Sequence, residues 1–518
     1  MIWCLRMARP KFFRDPIHGQ IGFDAVDLHA GPPPSESQPD AALSWLIRRL
    51  IDTPEFQRLR YIRQNGLVNL VFHGAEHSRF GHSMGVCYLA REMYGRITRN
   101  MGDPVDSARR LATCAAALLH DIGHGPFSHV LEEILSTCGI RFEHEWLTRR
   151  LLVEPDALRG YGDPSVASVH ATLRQVDTSL PEHVAAYVSK KWRSKPASAN
   201  GRDSRDTPSA GDHWTYKLVS SQIDADRLDY LIRDASLSGL PGHAFDMERL
   251  LDMLLHLDHT RIAVYRRAVE PVEGYLLALD QMYRTVYYHH TARAAAAHLG
   301  CVLHRALDLY RSGARDLFPV VAGTHDAEPA GSPQARGRRH PLQALFDDGQ
   351  NLPLADYLRL TEYHVFALIE EWQAHRDPVL ADLSRRLLRR SLLKAIDVDP
   401  RKYNRMQRLQ KYAEDLVRDR LPHVDKDTVQ YYVTVDEPER VSYRRYDWRN
   451  ADPDESIWIV DNDSSAGARS GPHAAAIGAN PIDKEPSSII AALQTAKYFH
   501  RLIVPAEIRD SVVAELRN

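Results

Sequence analysis

His120 and Asp121 stand together at the end of the apolar run that leads into LLHDIGHGPFSH (118–129). An imidazole nitrogen and a carboxylate side by side can both reach one metal ion, although an isolated pair more often serves as a hydrogen-bonded core pair. Here the pair is not isolated. His124 follows one helical turn beyond His120, on the same face, and Gly123, Gly125 and Pro126 end the helix beside these side chains before His129 is reached. In GAEHSRFGHSMG (74–85), His77 and His82 flank Arg79, which sets a ligand and a phosphate-binding guanidinium within a turn of each other. FEHEW (142–146) adds His144 and Glu145. In QIDADRLDYLIRDA (222–235), Asp226, Tyr230 and Asp234 form a polar helical face opposite Ile223, Leu228 and Leu231. The expected ligand set is His82, His120, Asp121 and Asp226. Mixed imidazole and carboxylate donors suit a divalent ion, Mn, Fe, Mg or Zn, with positions left open for water. A cation so held lowers the pKa of water and polarises a phosphoryl oxygen, so hydrolysis at phosphorus is the expected chemistry.

Five segments in chain order carry a resemblance: DPIHG (15–19), HSRFGHSMG (77–85), HDIGHGPFSH (120–129), FEHE (142–145) and IDADRLDYLIRDA (223–235). Together they resemble the HD-superfamily deoxynucleoside triphosphate (dNTP) triphosphohydrolases, in the branch of the sterile-alpha-motif/HD protein and its stand-alone bacterial relatives. The resemblance is strong over residues 10–310 and weak over parts of 380–518. It implies attack of water on the α-phosphorus of a dNTP, releasing deoxynucleoside and intact triphosphate. The 5′-oxygen then leaves and needs a proton. His129 matches the family position of that acid, and Glu132, three residues on, would orient its ring. His124 and His144 match α-phosphate contacts and could share the acid role, while Arg79 could take phosphate oxygens bidentately. Gln64 and Asp234 match positions that hydrogen-bond the sugar 3′-hydroxyl, and Tyr230 and Tyr287 match rings that crowd a 2′-hydroxyl. Asp52, Gln57 and Arg60 in IDTPEFQRLR match positions that recognise a guanine activator, and Arg390 and Lys394 in RRSLLKAI match activator-phosphate contacts. The resemblance thus implies a nucleotide activator and a homo-oligomer, a dimer, tetramer or hexamer. The same two segments read equally as a capped amphipathic helix and a solvated basic face. Asn65, His73, Gly81 and Arg14 replace the family's usual leucine, proline, glutamate and asparagine. They leave the ligand set intact and bear on base, sugar and activator preference.

Helical periodicity must position these groups. It predicts helices over 42–63, 82–99, 107–122, 127–138, 215–236, 246–257, 272–311, 354–375 and 378–396, with short β-rich runs at 429–435, 457–460 and 499–505. The expected fold is mostly α, an HD-domain helical core with a C-terminal helical lobe carrying a small antiparallel β-sheet. The expected division is a phosphohydrolase core over 1–322 with a mobile insert at 193–212, a linker at 323–341, and a C-terminal α+β regulatory and oligomerisation region over 342–518. A further surface loop is expected at 463–487. With 518 residues, 44% of them hydrophobic, the chain can bury a large core. A formal net charge of −2 argues against broad nucleic-acid binding as its main role. The five cysteines show no CxxC spacing and read as reduced thiols, which implies the cytoplasm. No apolar stretch reaches the roughly 18 residues of a membrane span, and MIWCLRMARPKFF lacks the apolar core of a signal peptide. Two alternatives remain open at this level. One is another HD phosphohydrolase, a nucleotide phosphatase or phosphodiesterase; the other is a nucleotide-sensing or single-strand nucleic-acid-binding scaffold with a vestigial site.

Overall fold

The structure, a computed structural model, describes residues 9–155, 157–158, 161, 166–189, 213–240, 245–319, 339–399, 403–440, 456–461, 479–485, 488–493 and 497–517. The expected insert at 193–212, residues 323–338 of the expected linker and most of the expected loop at 463–487 lie outside the described residues.

An antiparallel hairpin comes first, β1 (Lys11–Asp15) with β2 (Gly19–Phe23), in register Lys11↔Phe23 to Asp15↔Gly19. The single helix expected over 42–63 is broken. It becomes α1 (Pro39–Ile51), α2 (Pro54–Gln57) and a 3-10 turn over Arg58–Tyr61. Pro54 cannot donate to the preceding turn, and Thr53 starts a new helix by accepting the Phe56 N–H. The long helices α3 (Arg79–Met101) and α4 (Ser107–Leu119) follow, then α5 (His129–Thr137), α6 (His144–Val153), α7 (Val169–Val176), α8 (Leu180–Val188) and α9 (Ala225–Leu237). The helix expected from 215 begins ten residues late because Asp224 folds back, taking the Ser221 and Arg227 N–H groups on its carboxylate to cap α9. Only a 3-10 turn, Trp214–Leu218, precedes it.

Next come α10 (Met247–Asp252), β3 (Leu254–His256), β4 (Ile262–Tyr265), α11 (Val269–Met282) and α12 (His290–Arg311). A π-turn over Tyr283–Tyr287 interrupts the helix expected over 272–311, and His289 caps the restart. The C-terminal part holds α13 (Pro341–Asp348), α14 (Leu354–Arg359), α15 (Glu362–Trp372), α16 (Pro378–Leu388), β5 (Lys394–Asp397), α17 (Tyr403–Arg420), β6 (Thr434–Asp436), β7 (Glu439–Arg440), β8 (Trp458–Val460), β9 (Asn480–Pro481), α18 (Ile490–Leu493), β10 (Lys497–Tyr498), β11 (Arg501–Val504) and α19 (Ala506–Arg517). The helix expected over 378–396 stops at Leu388. Arg390 turns left-handed, φ 55°, as the Ser391 N–H closes on the Arg386 carbonyl.

The C-terminal sheet is antiparallel as expected, in the order β5-β11-β6, with Arg501 opposite both Asp397 and Asp436. The run at 457–460 does not join it. β8 instead pairs parallel to β4, Val264↔Ile459, because its partner edge is a hairpin 200 residues away that short-range pattern cannot reveal. One continuous buried core runs from Ile21 to Val512. Its centre is α3 against α4 and α9. Gly85 permits that approach: a Cβ there would sit 1.9 Å from Asp229 Oδ1 on α9. Among the described residues no helix is long and apolar enough to cross a membrane.

Candidate active site

Three of the expected ligands converge. A nitrogen of His82 (α3), a nitrogen of His120 (just after α4) and a carboxylate oxygen of Asp226 (α9) all lie within 4.8 Å of one another. His120 Nδ1 donates to the Ala117 carbonyl at 2.9 Å, and His82 Nδ1 donates to Asp229 Oδ2 at 2.8 Å. Since those partners only accept, both rings carry a proton on Nδ1, and Nε2 is the atom each turns to the site and would offer to a cation. Both Nε2 atoms are buried and face the same carboxylate oxygen, Asp226 Oδ1, His82 at 3.0 Å and His120 at 3.6 Å. The donor set therefore fits a divalent cation. Charge tells the same story: burial alone would depress the His82 pKa, yet Asp226 and Asp229 push it up to about 10. A field that binds a proton so firmly also attracts a cation. Asp121, the fourth expected ligand, has Oδ1 3.3 Å from His120 Nε2 and Oδ2 3.6 Å from His82 Nε2.

Arg79 is committed to the protein. It pairs through Nη1 with Asp121 Oδ2 and donates from Nε to Ser128 Oγ at 2.9 Å, which leaves Nη2 3.4 Å from the Gln64 carbonyl. Its side chain nonetheless lines the central cavity. Burial opposes the charge of Asp121, but Arg79, His120 and His124 together hold its pKa well below the usual carboxylate range.

Beside this group stands a second cluster. The rings of His124 and His144 stack with centroids 3.9 Å apart, and His129 meets both edge-on. Glu132 takes His129 Nδ1 on one oxygen at 3.0 Å and His144 Nδ1 on the other at 2.8 Å. The expected orientation of His129 by Glu132 is thus present, and Glu132 orients His144 as well. Burial raises the Glu132 pKa, but the two imidazoles lower it far more, so the carboxylate stays ionised. His124 is driven the other way: burial and the Arg79 charge hold it neutral. The His129 side chain is 71% exposed, which leaves its Nε2 open to a reactant.

The turn that delivers His129 is strained. Phe127 and Ser128 have φ of 59° and 56°, and two successive non-glycine residues in that region cost about 1–3 kcal/mol each. Tyr357 donates to the Gly123 carbonyl, Arg58 to those of His124 and Leu360, and Glu362 accepts the Phe127 N–H. Gly123 itself is tightly seated, since a Cβ would lie 2.3 Å from the His144 carbonyl.

A cavity of about 650 Å³ extends from both clusters to Gln64, Asn65, Tyr230, Asp234 and Tyr287. Tyr287 donates to Asp234 Oδ2 at 2.6 Å, His77 Nε2 reaches Oδ1 at 2.7 Å, and the Tyr230 and Tyr287 rings meet edge-on at 6.3 Å. The expected sugar-contacting residues therefore line the same cavity as Arg79 and His124. Burial lifts both tyrosine hydroxyls well above their ordinary range, so they act as neutral donors.

Sequence reasoning missed Asp229. Wholly buried, it joins His82 Nδ1, His18 Nε2 at 2.6 Å and Arg233 Nε at 2.8 Å, and Arg233 reaches Asp15 at 3.0 Å. DPIHG therefore helps hold Asp229, and through it His82 of the candidate metal site. The available signal was a carboxylate one turn beyond Asp226, between two core leucines.

Of the expected activator contacts, Gln57 and Arg60 meet: Gln57 donates to the Ile51 carbonyl and takes Arg60 Nε, and the Arg60 guanidinium lies 3.6 Å from the Phe80 ring centre, while Asp52 stands exposed at the C-terminal cap of α1. Arg390 donates to the Leu70 carbonyl at 2.8 Å and Lys394 opens an exposed strand. The two do not share a helical face as expected, because α16 ends before them.

The HD domain family matches residues 79–195, and the HD associated region matches 245–319. YwfO of Bacillus subtilis, an uncharacterized protein, is 33% identical over 395 residues, 76% of this chain and 74% of that one. The chain belongs to the HD-domain phosphohydrolase family. The deoxynucleoside triphosphate triphosphohydrolase SAMHD1 of Xenopus laevis is 29% identical over 318 residues, and the human one 28% over 300. Those matches cover 54% and 52% of this chain but only 46% and 43% of the relatives. A phosphohydrolase from Bacteroides thetaiotaomicron shares the fold over 96% of this chain and 99% of its own, with a TM-score of 0.66 at 24% identity.

Proposed function

We propose that this HD phosphohydrolase is a metal-dependent dNTP triphosphohydrolase. One observation carries the reading: a single cavity joins His120 and Asp226 of the donor set, the Glu132-anchored histidines and a wall of Gln64, Tyr230, Asp234 and Tyr287, with His82 buried just behind His120 and Asp226. That is the order of a reacting phosphorus, its 5′-oxygen leaving group and the sugar that carries it. A divalent cation held by His82, His120, Asp121 and Asp226 would supply Lewis acidity and water of lowered pKa.

The chain's own groups do the rest. His124, held neutral, and His144 can donate to α-phosphate oxygens. Glu132 fixes Nδ1–H of His129, so a proton on Nε2 is the one delivered to the 5′-oxygen. Tyr230 and Tyr287 crowd C2′ and favour deoxyribose. The similarity to SAMHD1 supports this substrate class. The four described cysteines are free, which supports a reducing compartment such as the cytoplasm. A nucleotide activator and a homo-oligomer rest on the family resemblance of Asp52, Gln57, Arg60, Arg390 and Lys394, of which Gln57 and Arg60 are hydrogen-bonded to each other.

The test is to load the purified chain with Mn, Fe, Mg or Zn, supply each dNTP, and measure inorganic triphosphate. Asp121→Ala should lose that product while the helices persist by circular dichroism. Full turnover by a folded, metal-free Asp121→Ala protein would remove the assignment.

A further inference from the structure

The catalytic turn is held from outside the HD motif. Glu362, the first residue of α15, lies 299 positions beyond Arg63 and is 2% exposed. Its Oε1 accepts the backbone N–H of Arg63 at 2.9 Å and of Phe127 at 3.4 Å, and its Oε2 takes Arg63 Nη1 at 2.6 Å. One turn along the same helix, Phe366 meets the Phe127 ring edge-on at 5.4 Å. The carboxylate thus ties two chain segments at one point. One leads into Gln64 and Asn65 of the cavity; the other is the left-handed Phe127–Ser128 pair that immediately precedes His129. Ser128 Oγ completes the tie by donating to the Arg63 carbonyl at 3.1 Å. A left-handed non-glycine pair persists only where its surroundings over-determine it, and Glu362 supplies a charged acceptor at that spot.

We propose that Glu362 is a positioning residue for His129: it fixes the Phe127–Ser128 turn, and with it the placement of the His129 ring relative to the metal donors. It touches neither the donors nor the cavity. It acts through the turn, and it makes α15 a structural part of the catalytic centre. The inference rests on the leaving-group role given to His129, and the two ideas fail separately.

The experiment is a double-mutant cycle on the metal-loaded full chain with a dNTP. Glu362→Gln keeps shape and removes charge and one acceptor; it should lower kcat about 10- to 100-fold, the cost of a small misplacement, with KM nearly unchanged. In a His129→Ala background the same change should cost less than about 3-fold, because its route of action is already gone. Equal losses in both backgrounds would overturn the proposal and reduce Glu362 to a fold contact. Glu362→Asp, which retains charge but not reach, should follow Glu362→Gln and replaces it if the amide fails to fold. A readout independent of turnover is the ¹⁵N-imidazole spectrum: the His129 resonances should move in Glu362→Gln and those of His298, in a separate buried site, should not. An unmoved His129 signal contradicts the proposal even if the parent protein hydrolyses no dNTP, an outcome that would separately remove the substrate assignment.

Discussion

Replacing Asp229 by asparagine should weaken the metal centre without touching a ligand. The carboxylate is wholly buried and holds His82 Nδ1–H at 2.8 Å, His18 at 2.6 Å and Arg233 at 2.8 Å. An amide of the same shape removes one charge and can present an N–H where His82 needs an acceptor, so the ring loses the hydrogen bond that keeps its proton on Nδ1 and turns Nε2 to the cation. Loss of such an outer partner costs about 10- to 100-fold in metal affinity, or about 1.4–2.7 kcal/mol. Stability should fall too. Breaking a buried pair costs about 3–5 kcal/mol, and Arg233 keeps Asp15, so the lower end applies. The pH sign follows from the direction of the shift. Burial opposes ionisation, but Arg233, His18 and His82 hold the Asp229 pKa well below 3.8. Its stabilisation is therefore complete above the unfolded value of about 3.9 and is lost as pH falls below it. Chelator-competition titration and thermal melting from pH 3 to 7 would read both effects. An Asp229→Asn protein with parental metal affinity would refute the reasoning, whatever its stability.

His129→Ala should keep metal and nucleotide binding but lose about 10²- to 10⁴-fold in kcat; if His144→Ala does this instead, the two roles exchange. Glu55, wholly buried beside the Val169 N–H, has its pKa raised by burial from 4.5 to about 7. The folded state then binds the extra proton, so stability is greatest below pH 4.5 and should fall by about 3 kcal/mol as pH rises to 7; melting at pH 5 and 8 should show this drop and its loss in Glu55→Gln. Arg60→Ala with Lys394→Ala should lower activity and the larger-oligomer fraction together, by light scattering with and without GTP or each dNTP. A fully active monomer indifferent to added nucleotide would remove the activator proposal alone.

The convergence of His82, His120 and Asp226 was legible because these residues sit on or beside strongly periodic helices. His82, Asp226 and the His120 turn fall on α3, α9 and the end of α4, where apolar spacing decides which face is buried. What pattern could not show was each ligand's partner. Asp229 reads as an ordinary helical carboxylate until Gly85 lets α3 approach, and Glu362 lies hundreds of residues from the turn it holds. Breaks were missed where a local cap beats periodicity, at Thr53–Pro54 and at Asp224, and β8 was misassigned because a three-residue strand carries no information about its partner.

Hydrolysis in H₂¹⁸O by the metal-loaded chain tests the central claim most directly, with the products resolved by mass spectrometry. Attack at the α-phosphorus with the 5′-oxygen leaving predicts inorganic triphosphate carrying one ¹⁸O and an unlabelled deoxynucleoside. Release of a deoxynucleoside monophosphate with pyrophosphate, or of orthophosphate, would place the reaction at another bond and contradict the account.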